Sequence, residues 1–131
     1  MAAGLLIITH NGIGAALLET AIETVGACPL AVEILSAPKD SDPDALLSQA
    51  HAGVARLDRG NGVLVLTDLY GSTPCNIARR LMEGHSVRIV AGLNLPMLIR
   101  LFNYPDLNLG EMTAKAVSGG HDGVFEVKRE T

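Results

Sequence analysis

Val63-Leu64-Val65-Leu66-Thr67, followed by Asp68-Leu69-Tyr70-Gly71-Ser72-Thr73-Pro74, decides the fold class. The first five residues are aliphatic or β-branched and show no polar alternation. That is the pattern of a strand covered on both faces, and such strands belong to parallel sheets sandwiched between helices. The residues behind it change character. Thr73 is a good N-cap and Pro74 a good first helical residue. Ile77, Ala78 and Leu81 then recur at helical spacing, and Gly84 marks the predicted stop.

Working outward in both directions, the same alternation repeats. Leu5-Leu6-Ile7-Ile8-Thr9 reads as a first strand ending at His10-Asn11-Gly12, and Leu17, Leu18, Ala21, Ile22 and Val25 share one face of the helix behind it, which Gly26 terminates. A second strand is expected at Ala31–Leu35. Asp42-Pro43-Asp44 then supplies a cap, a first-turn proline and an early acid for a helix carrying Leu46, Leu47, Ala50, Val54 and Leu57. A fourth strand at Val87–Ala91 leads into Gly92-Leu93-Asn94-Leu95-Pro96-Met97 and a short helix with Leu98, Ile99, Leu101 and Phe102. A last helix is expected over Leu109–Val117. The tail Val124-Phe125-Glu126-Val127 alternates as an edge or exchanged strand would. The whole implies an α/β fold over residues 1–131 as one domain: an open, doubly wound, mostly parallel sheet of order 2-1-3-4 with helices on both faces.

Composition agrees. Of the 131 residues, 48% are apolar and only 18% charged, and there is no tryptophan, so the core must be built from Leu, Ile, Val and Ala. The net charge of −4 argues against a nucleic-acid partner, which needs a basic face; it is compatible with docking onto a basic protein, although solubility alone explains it. Cys28 and Cys75 form no metal-spaced pair and read as cytosolic thiols. The N-terminal apolar run lacks basic residues and reads as a strand, not a signal peptide. No stretch approaches the roughly 20 apolar residues of a membrane span. The expectation is a cytoplasmic protein without direct membrane insertion.

In a doubly wound sheet, reactive groups collect at the carboxyl ends of the strands, where the strand order reverses. The loop after strand one begins with His10 and the loop after strand three with Asp68, so a 2-1-3-4 order sets the two facing each other. A carboxylate beside a histidine fixes its tautomer and leaves the other ring nitrogen as a directed nucleophile. Gly71, Ser72 and Thr73 add what a phosphoryl group needs: backbone N–H groups at a helix start, hydroxyls, and a glycine permitting close approach or a positive backbone angle. Taken singly, His10 and Asp68 are also ordinary turn residues and Thr73-Pro74 an ordinary helix cap. It is their convergence on one edge that points to chemistry. His51, His85 and His121 read as surface residues. No metal-ligand spacing, Walker A or GxGxxG motif is present, so neither a metal nor a nucleotide or other cofactor is indicated.

Three segments carry a resemblance to the mannose-type A domains (EIIA) of phosphoenolpyruvate-dependent phosphotransferase systems. Ile7-Ile8-Thr9-His10-Asn11-Gly12 is similar to the segment around the family's phosphorylated histidine. Leu66 through Asn76 resembles its aspartate, glycine and hydroxyl-proline segment, and Ala91 through Leu98 its third loop. The resemblance runs over nearly the whole chain. It implies that His10 accepts a phosphoryl group from the phosphocarrier HPr and passes it to an EIIB component, which serves a membrane EIIC/EIID transporter. It further implies that Asp68 orients His10, that Thr73 and nearby amides hold the phosphate, and that the protein is a homodimer exchanging its last strand. Ile13, Tyr70 and Met97 are candidates for a partner-facing rim around His10; Leu93 is a further one, for which core packing is at least as good a reading.

The segments also depart from the family pattern. Tyr70, Gly71 and Ser72 stand where the family often has tryptophan and two glycines, and Cys75 stands where phenylalanine is frequent. These differences bear on partner and sugar, not on the histidine or the acid. Three other readings remain open at this level: a regulatory A domain feeding no transporter, a dihydroxyacetone-kinase-type phosphocarrier, and a flavodoxin-like binding domain in which His10 is only a turn residue.

Overall fold

A computed structural model describes residues 2–130. Its elements run β1 (Gly4–His10), α1 (Ile13–Val25), β2 (Val32–Ala37), α2 (Pro43–Leu57), β3 (Val63–Thr67), α3 (Thr73–Leu81), β4 (Val87–Ala91), α4 (Leu95–Phe102) and α5 (Leu109–Asp122). The four strands form one parallel sheet in the order β2-β1-β3-β4. β1 and β3, the central pair, are buried on both faces, which is why they carry no polar alternation.

Alternation within those strands divides the core in two. Leu5, Ile7, Leu64 and Leu66 pack with Ala21 of α1, Leu98 and Leu101 of α4, and Met112 and Ala116 of α5. Leu6, Ile8, Val63 and Val65 point the other way, onto Leu46, Ala50 and Val54 of α2 and Ile77, Ala78 and Leu81 of α3. The helices therefore lie on both faces, with α1, α4 and α5 on one side and α2 and α3 on the other. On the outer rim of that second face, Arg56 of α2 forks onto both carboxylate oxygens of Glu33 in β2 at 2.7–3.1 Å. The guanidinium holds the Glu33 carboxyl below its usual range.

Several boundaries differ from the sequence expectation. β2 starts one residue later and runs two further, to Ala37, because its pairing with β1 continues to His10 opposite Ala37. The cap of α3 is Ser72, with Thr73 as first helical residue, and α3 ends at Leu81 through turn bonds reaching Gly84. α5 runs on to Asp122, through Gly119 and Gly120. Those glycines are needed for packing: a Cβ at Gly119 would sit 2.5 Å from the Arg100 Cβ. Residues 124–130 add no fifth strand to the sheet, and Val124, Phe125 and Val127 are 74–83% exposed. An edge strand on the chain's own sheet is thus not formed. His51 and His85 are also not plain surface residues: both are partly buried, with His51 Nδ1 2.9 Å from His85 Nε2, joining α2 to the turn before β4. His121 is exposed in the last turn of α5.

The entry to α1 determines how β1 delivers His10. Thr9, fully buried, accepts a hydrogen bond from the Gly14 amide at 2.9 Å, and a Cβ at Gly14 would lie 2.7 Å from Ile7 Cγ2 and 3.1 Å from Thr9 Oγ1. Gly14→Ala is expected to destabilise the protein by about 1–3 kcal/mol, the usual cost of overpacking. Gly12, with nothing within 4 Å of a Cβ and a φ of −90°, should accept alanine with a far smaller change. Urea unfolding of the two variants side by side checks the contrast.

Candidate functional site

His10 is the last residue of β1 and Asp68 the first after β3, and the parallel pairing of Ile8 with Thr67 brings the two strand ends level. Asp68 Oδ2 accepts two hydrogen bonds from the same residue, from His10 Nδ1 at 2.9 Å and from the His10 backbone amide at 3.1 Å. One oxygen thereby fixes both the backbone and the ring. A carboxylate at Nδ1 needs a donor there, so the ring carries its hydrogen on Nδ1 and the Nε2 lone pair is left directed outward. The His10 side chain is 39% exposed and that of Asp68 12%: the imidazole is reachable and the carboxylate beside it is shielded from water. Asp68 Oδ1 is buried with no partner among the described residues, so the ion pair with a protonated or substituted imidazole would be the acid's main electrostatic compensation.

The turn between His10 and α1 is strained in an economical way. Asn11 has φ +47°, which asparagine tolerates better than most residues, and its amide donates to the Ala37 carbonyl at 3.2 Å, tying the histidine loop to the end of β2.

The loop after β3 borders the histidine and presents free backbone donors at the start of α3. Gly71 has φ +80°, and a Cβ there would meet nothing within 4 Å, so glycine is required for the backbone angle rather than for space. The Ser72 hydroxyl donates to the Leu69 carbonyl at 2.6 Å and makes no cap bond to α3. With Pro74 lacking an N–H, the amides of Thr73 and Cys75 have no acceptor among the described residues, while that of Asn76 bonds the Ser72 carbonyl. Two uncommitted amides at a helix start, where the dipole is positive, favour an anion. Thr73 lines the same crevice as His10; Ser72 and Gly71 shape the loop beside it without lining that crevice.

The crevice itself, about 410 Å³, has a wall absent from the sequence-level reading. Besides His10, Asn11, Thr73 and Pro74 it is bounded by Ala37, Pro38, Lys39, Ser41 and Pro43 from the β2–α2 loop. The signal was available, since β2 ends on the same edge as β1 and β3. The proposed rim divides. Ile13 is 44% and Tyr70 74% exposed, and Leu69, passed over in the sequence, is 60% exposed beside Tyr70. Met97 is 2% exposed and Leu93 8%, both packed in the core. Met97 is therefore not a rim residue of this chain. Asn94 caps α4 by accepting from the Met97 amide at 2.9 Å, and that cap turns the Met97 side chain inward onto α5. Gly92 and Asn94 of the third loop line a separate cavity with residues of β4, α4 and α5, and His10 is not part of its wall.

Comparison with known proteins agrees with this fold. Residues 4–117 match the family model described as "PTS system fructose IIA component". The chain is 31% identical over 131 residues to the "PTS system mannose-specific EIIAB component" of Escherichia coli (strain K12), an alignment covering 98% of this chain and 40% of that protein. The chain thus spans about two fifths of the length of the curated relatives it matches. Among solved structures, the mannose/sorbose specific IIA subunit from Enterococcus faecalis superposes with a TM-score of 0.90 at 28% identity, covering 100% of this chain and 98% of that one. The IIA protein associated with the fucose utilization operon of Streptococcus pneumoniae superposes at 0.78 with 30% identity and 96% coverage of each chain.

The His10–Asp68 contact makes a direct spectroscopic prediction. In a long-range 1H–15N spectrum at neutral pH, His10 should show the Nδ1–H tautomer. Asp68→Ala should shift it to the Nε2–H form or to exchange between the two. An Nε2–H signal in the wild type would mean that the carboxylate does not set the ring.

Proposed function

The chain belongs to the mannose-type IIA family of phosphoenolpyruvate-dependent sugar phosphotransferase systems, and from that premise we propose that it is a phosphoryl carrier charged on His10 Nε2. The observation that carries this reading is the 2.9 Å contact between His10 Nδ1 and Asp68 Oδ2 beside the open amides at the start of α3. Phospho-HPr is the donor and an EIIB component the acceptor, which in turn serves a membrane EIIC/EIID transporter. No helix of the described residues is long and apolar enough to cross a membrane, and the reading makes the chain a cytoplasmic partner of that transporter.

The chemistry is in-line transfer between two imidazoles, where positioning and charge stabilisation do most of the work. His10 Nε2 attacks phosphorus as the P–N bond of the donor breaks, and the electron pair of that bond returns to the donor ring. His10 becomes a phosphoimidazolium that keeps its Nδ1 hydrogen, and Asp68 stabilises the positive charge. The amides of Thr73 and Cys75 and the Thr73 hydroxyl receive the phosphoryl oxygens. Exposed Ile13, Leu69 and Tyr70 form an apolar rim on which HPr and EIIB dock in turn. A regulatory or dihydroxyacetone-kinase-type output would use the same site with a different acceptor, whereas a flavodoxin-like binding role would leave the His10–Asp68 pair without a task.

With phosphoenolpyruvate, enzyme I and HPr, the intact mass should rise by one acid-labile phosphoryl group, and His10→Ala should abolish the gain. Asp68→Asn should still be phosphorylated but up to about 10⁴-fold more slowly, because an amide can hold the histidine in the wrong tautomer. A folded wild type that gains nothing from charged HPr would sink the donor assignment; a gain surviving in His10→Ala would put the phosphoryl group elsewhere.

The exposed tail supports a homodimer that exchanges it. The described residues leave the apolar side chains of Val124, Phe125 and Val127 74–83% exposed, and β4 is an edge strand of the sheet. Sedimentation equilibrium should show a dimer that becomes a monomer when residues 124–131 are deleted. An unchanged dimer would place the interface elsewhere.

A further inference from the structure

Lys39 stands on the wall of the crevice that contains His10. We infer that its ammonium group offsets the charge of the phosphoryl group on His10, making it a stabilising residue of the phosphorylated state that acts from the β2–α2 loop. The inference rests on the phosphocarrier reading and adds to it a residue outside the histidine, aspartate and threonine segments.

Backbone geometry is the first argument. His10 pairs with Ala37 in the β1–β2 register, so Lys39 lies two residues beyond His10's own partner. The strand end is clamped there, since the Asn11 amide donates to the Ala37 carbonyl at 3.2 Å. The next carbonyl, that of Pro38, accepts from both the Ser41 amide at 3.0 Å and the Ser41 hydroxyl at 2.5 Å. Lys39 therefore sits in a closed turn, Pro38 to Ser41, whose position relative to His10 is set by hydrogen bonds on either side. Pro38 and Pro43 stiffen the same loop.

Charge is the second. The crevice lining contains no other lysine or arginine. Arg56, Arg100 and Lys128 are engaged in ion pairs with Glu33, Asp122 and Glu126, and Lys115 lies over the Tyr104 ring; Arg59, Arg79, Arg80, Arg88 and Arg129 make no ion pair among the described residues, but none of them lines the crevice. Lys39 makes no ion pair among the described residues. Its acidic neighbours in sequence are Asp40 and Asp42, and the Asp42 carboxylate is occupied in capping α2. The group it would meet is a phosphoryl dianion placed beside an already negative Asp68. Amides and a hydroxyl can orient that dianion, but they bring no net charge. A mobile ammonium at the rim does, and a four-carbon stem lets it follow the phosphoryl oxygens during in-line transfer without contacting the imidazole.

The transfer equilibrium tests this. The phospho-HPr to HPr ratio is clamped, and the phosphorylated fraction of the protein is read by intact mass at low salt. Lys39→Gln should lower the phosphorylated-to-free ratio about three- to tenfold, as expected for losing one partly solvated charge facing a dianion. Lys39→Arg should restore it, and raising the salt should narrow the gap between wild type and Lys39→Gln. Melting temperatures should coincide, because Lys39 is exposed. Equal ratios for wild type and Lys39→Gln at low salt, or a loss that arginine does not restore, would overturn the inference. The same comparison with phosphoramidate as a chemical donor separates the two readings. A Lys39-dependent charging of His10 by phosphoramidate, without charging by phospho-HPr, would retain the role of Lys39 and remove HPr as donor. Absence of charging at His10 from either donor would remove both.

Discussion

Everything at the reactive edge depends on one carboxylate oxygen. Asp68 Oδ2 accepts from the His10 amide and from the His10 ring, so it fixes at once where β1 ends, which way the imidazole faces and which nitrogen is free. The arrangement is possible only because β1 and β3 are adjacent and in parallel register, with Ile8 opposite Thr67. A slip of that register by one residue would turn every side chain of the strand to the opposite face and would separate the pair. The core that prevents such a slip is two-sided: aliphatic residues of the same strands alternate between the layer of α1, α4 and α5 and the layer of α2 and α3.

Local conformations serve that edge in different ways. Asn11 and Gly71 both adopt positive φ, one to bend the chain away from His10 and one to present the start of α3. The glycines of α5 have another purpose, close packing on α4. Ser72, the residue at the cap position before α3, turns its hydroxyl to its own loop instead of capping the helix. An ordinary cap would satisfy the first-turn amides and occupy the place where an anion can bind. In α4 and α5, which begin away from the crevice, Asn94 and Asn108 do form side-chain caps. α2, whose Pro43 also lines the crevice, is capped by the Asp42 side chain, so of the two helices that begin there with a proline it is α3 that leaves donors open for the proposed phosphoryl group.

Much of this was legible in the residues. The strand and helix order, β3 and β4 to the residue, the 2-1-3-4 sheet and the juxtaposition of His10 with Asp68 follow from apolar runs, caps and the rule that groups converge where strand order reverses. The errors were of one kind: they concerned where side chains point and how far elements extend once they are packed. Met97 looked like a rim residue because it follows a loop at the reactive edge, yet the Asn94 cap turns it into the core. His51 and His85 looked like unrelated surface histidines because they are distant in sequence, and only packing of α2 against the α3–β4 turn brings them to 2.9 Å. α5 was expected to end before its glycine pair, which instead carries it across α4.

The sequence by itself determined the alternation of elements, the chemical identity of the histidine–carboxylate pair and the family segments in which they lie. Each is written in contiguous residues, as periodicity, capping or motif. Tertiary structure decided which groups surround that pair. Lys39, Pro38 and Ser41 join His10 because β2 lies beside β1 and the Asn11–Ala37 hydrogen bond closes the gap. Whether a side chain lines a crevice or fills a core depends on the angle at which its element docks, and docking is a property of contacts between segments that no single segment encodes.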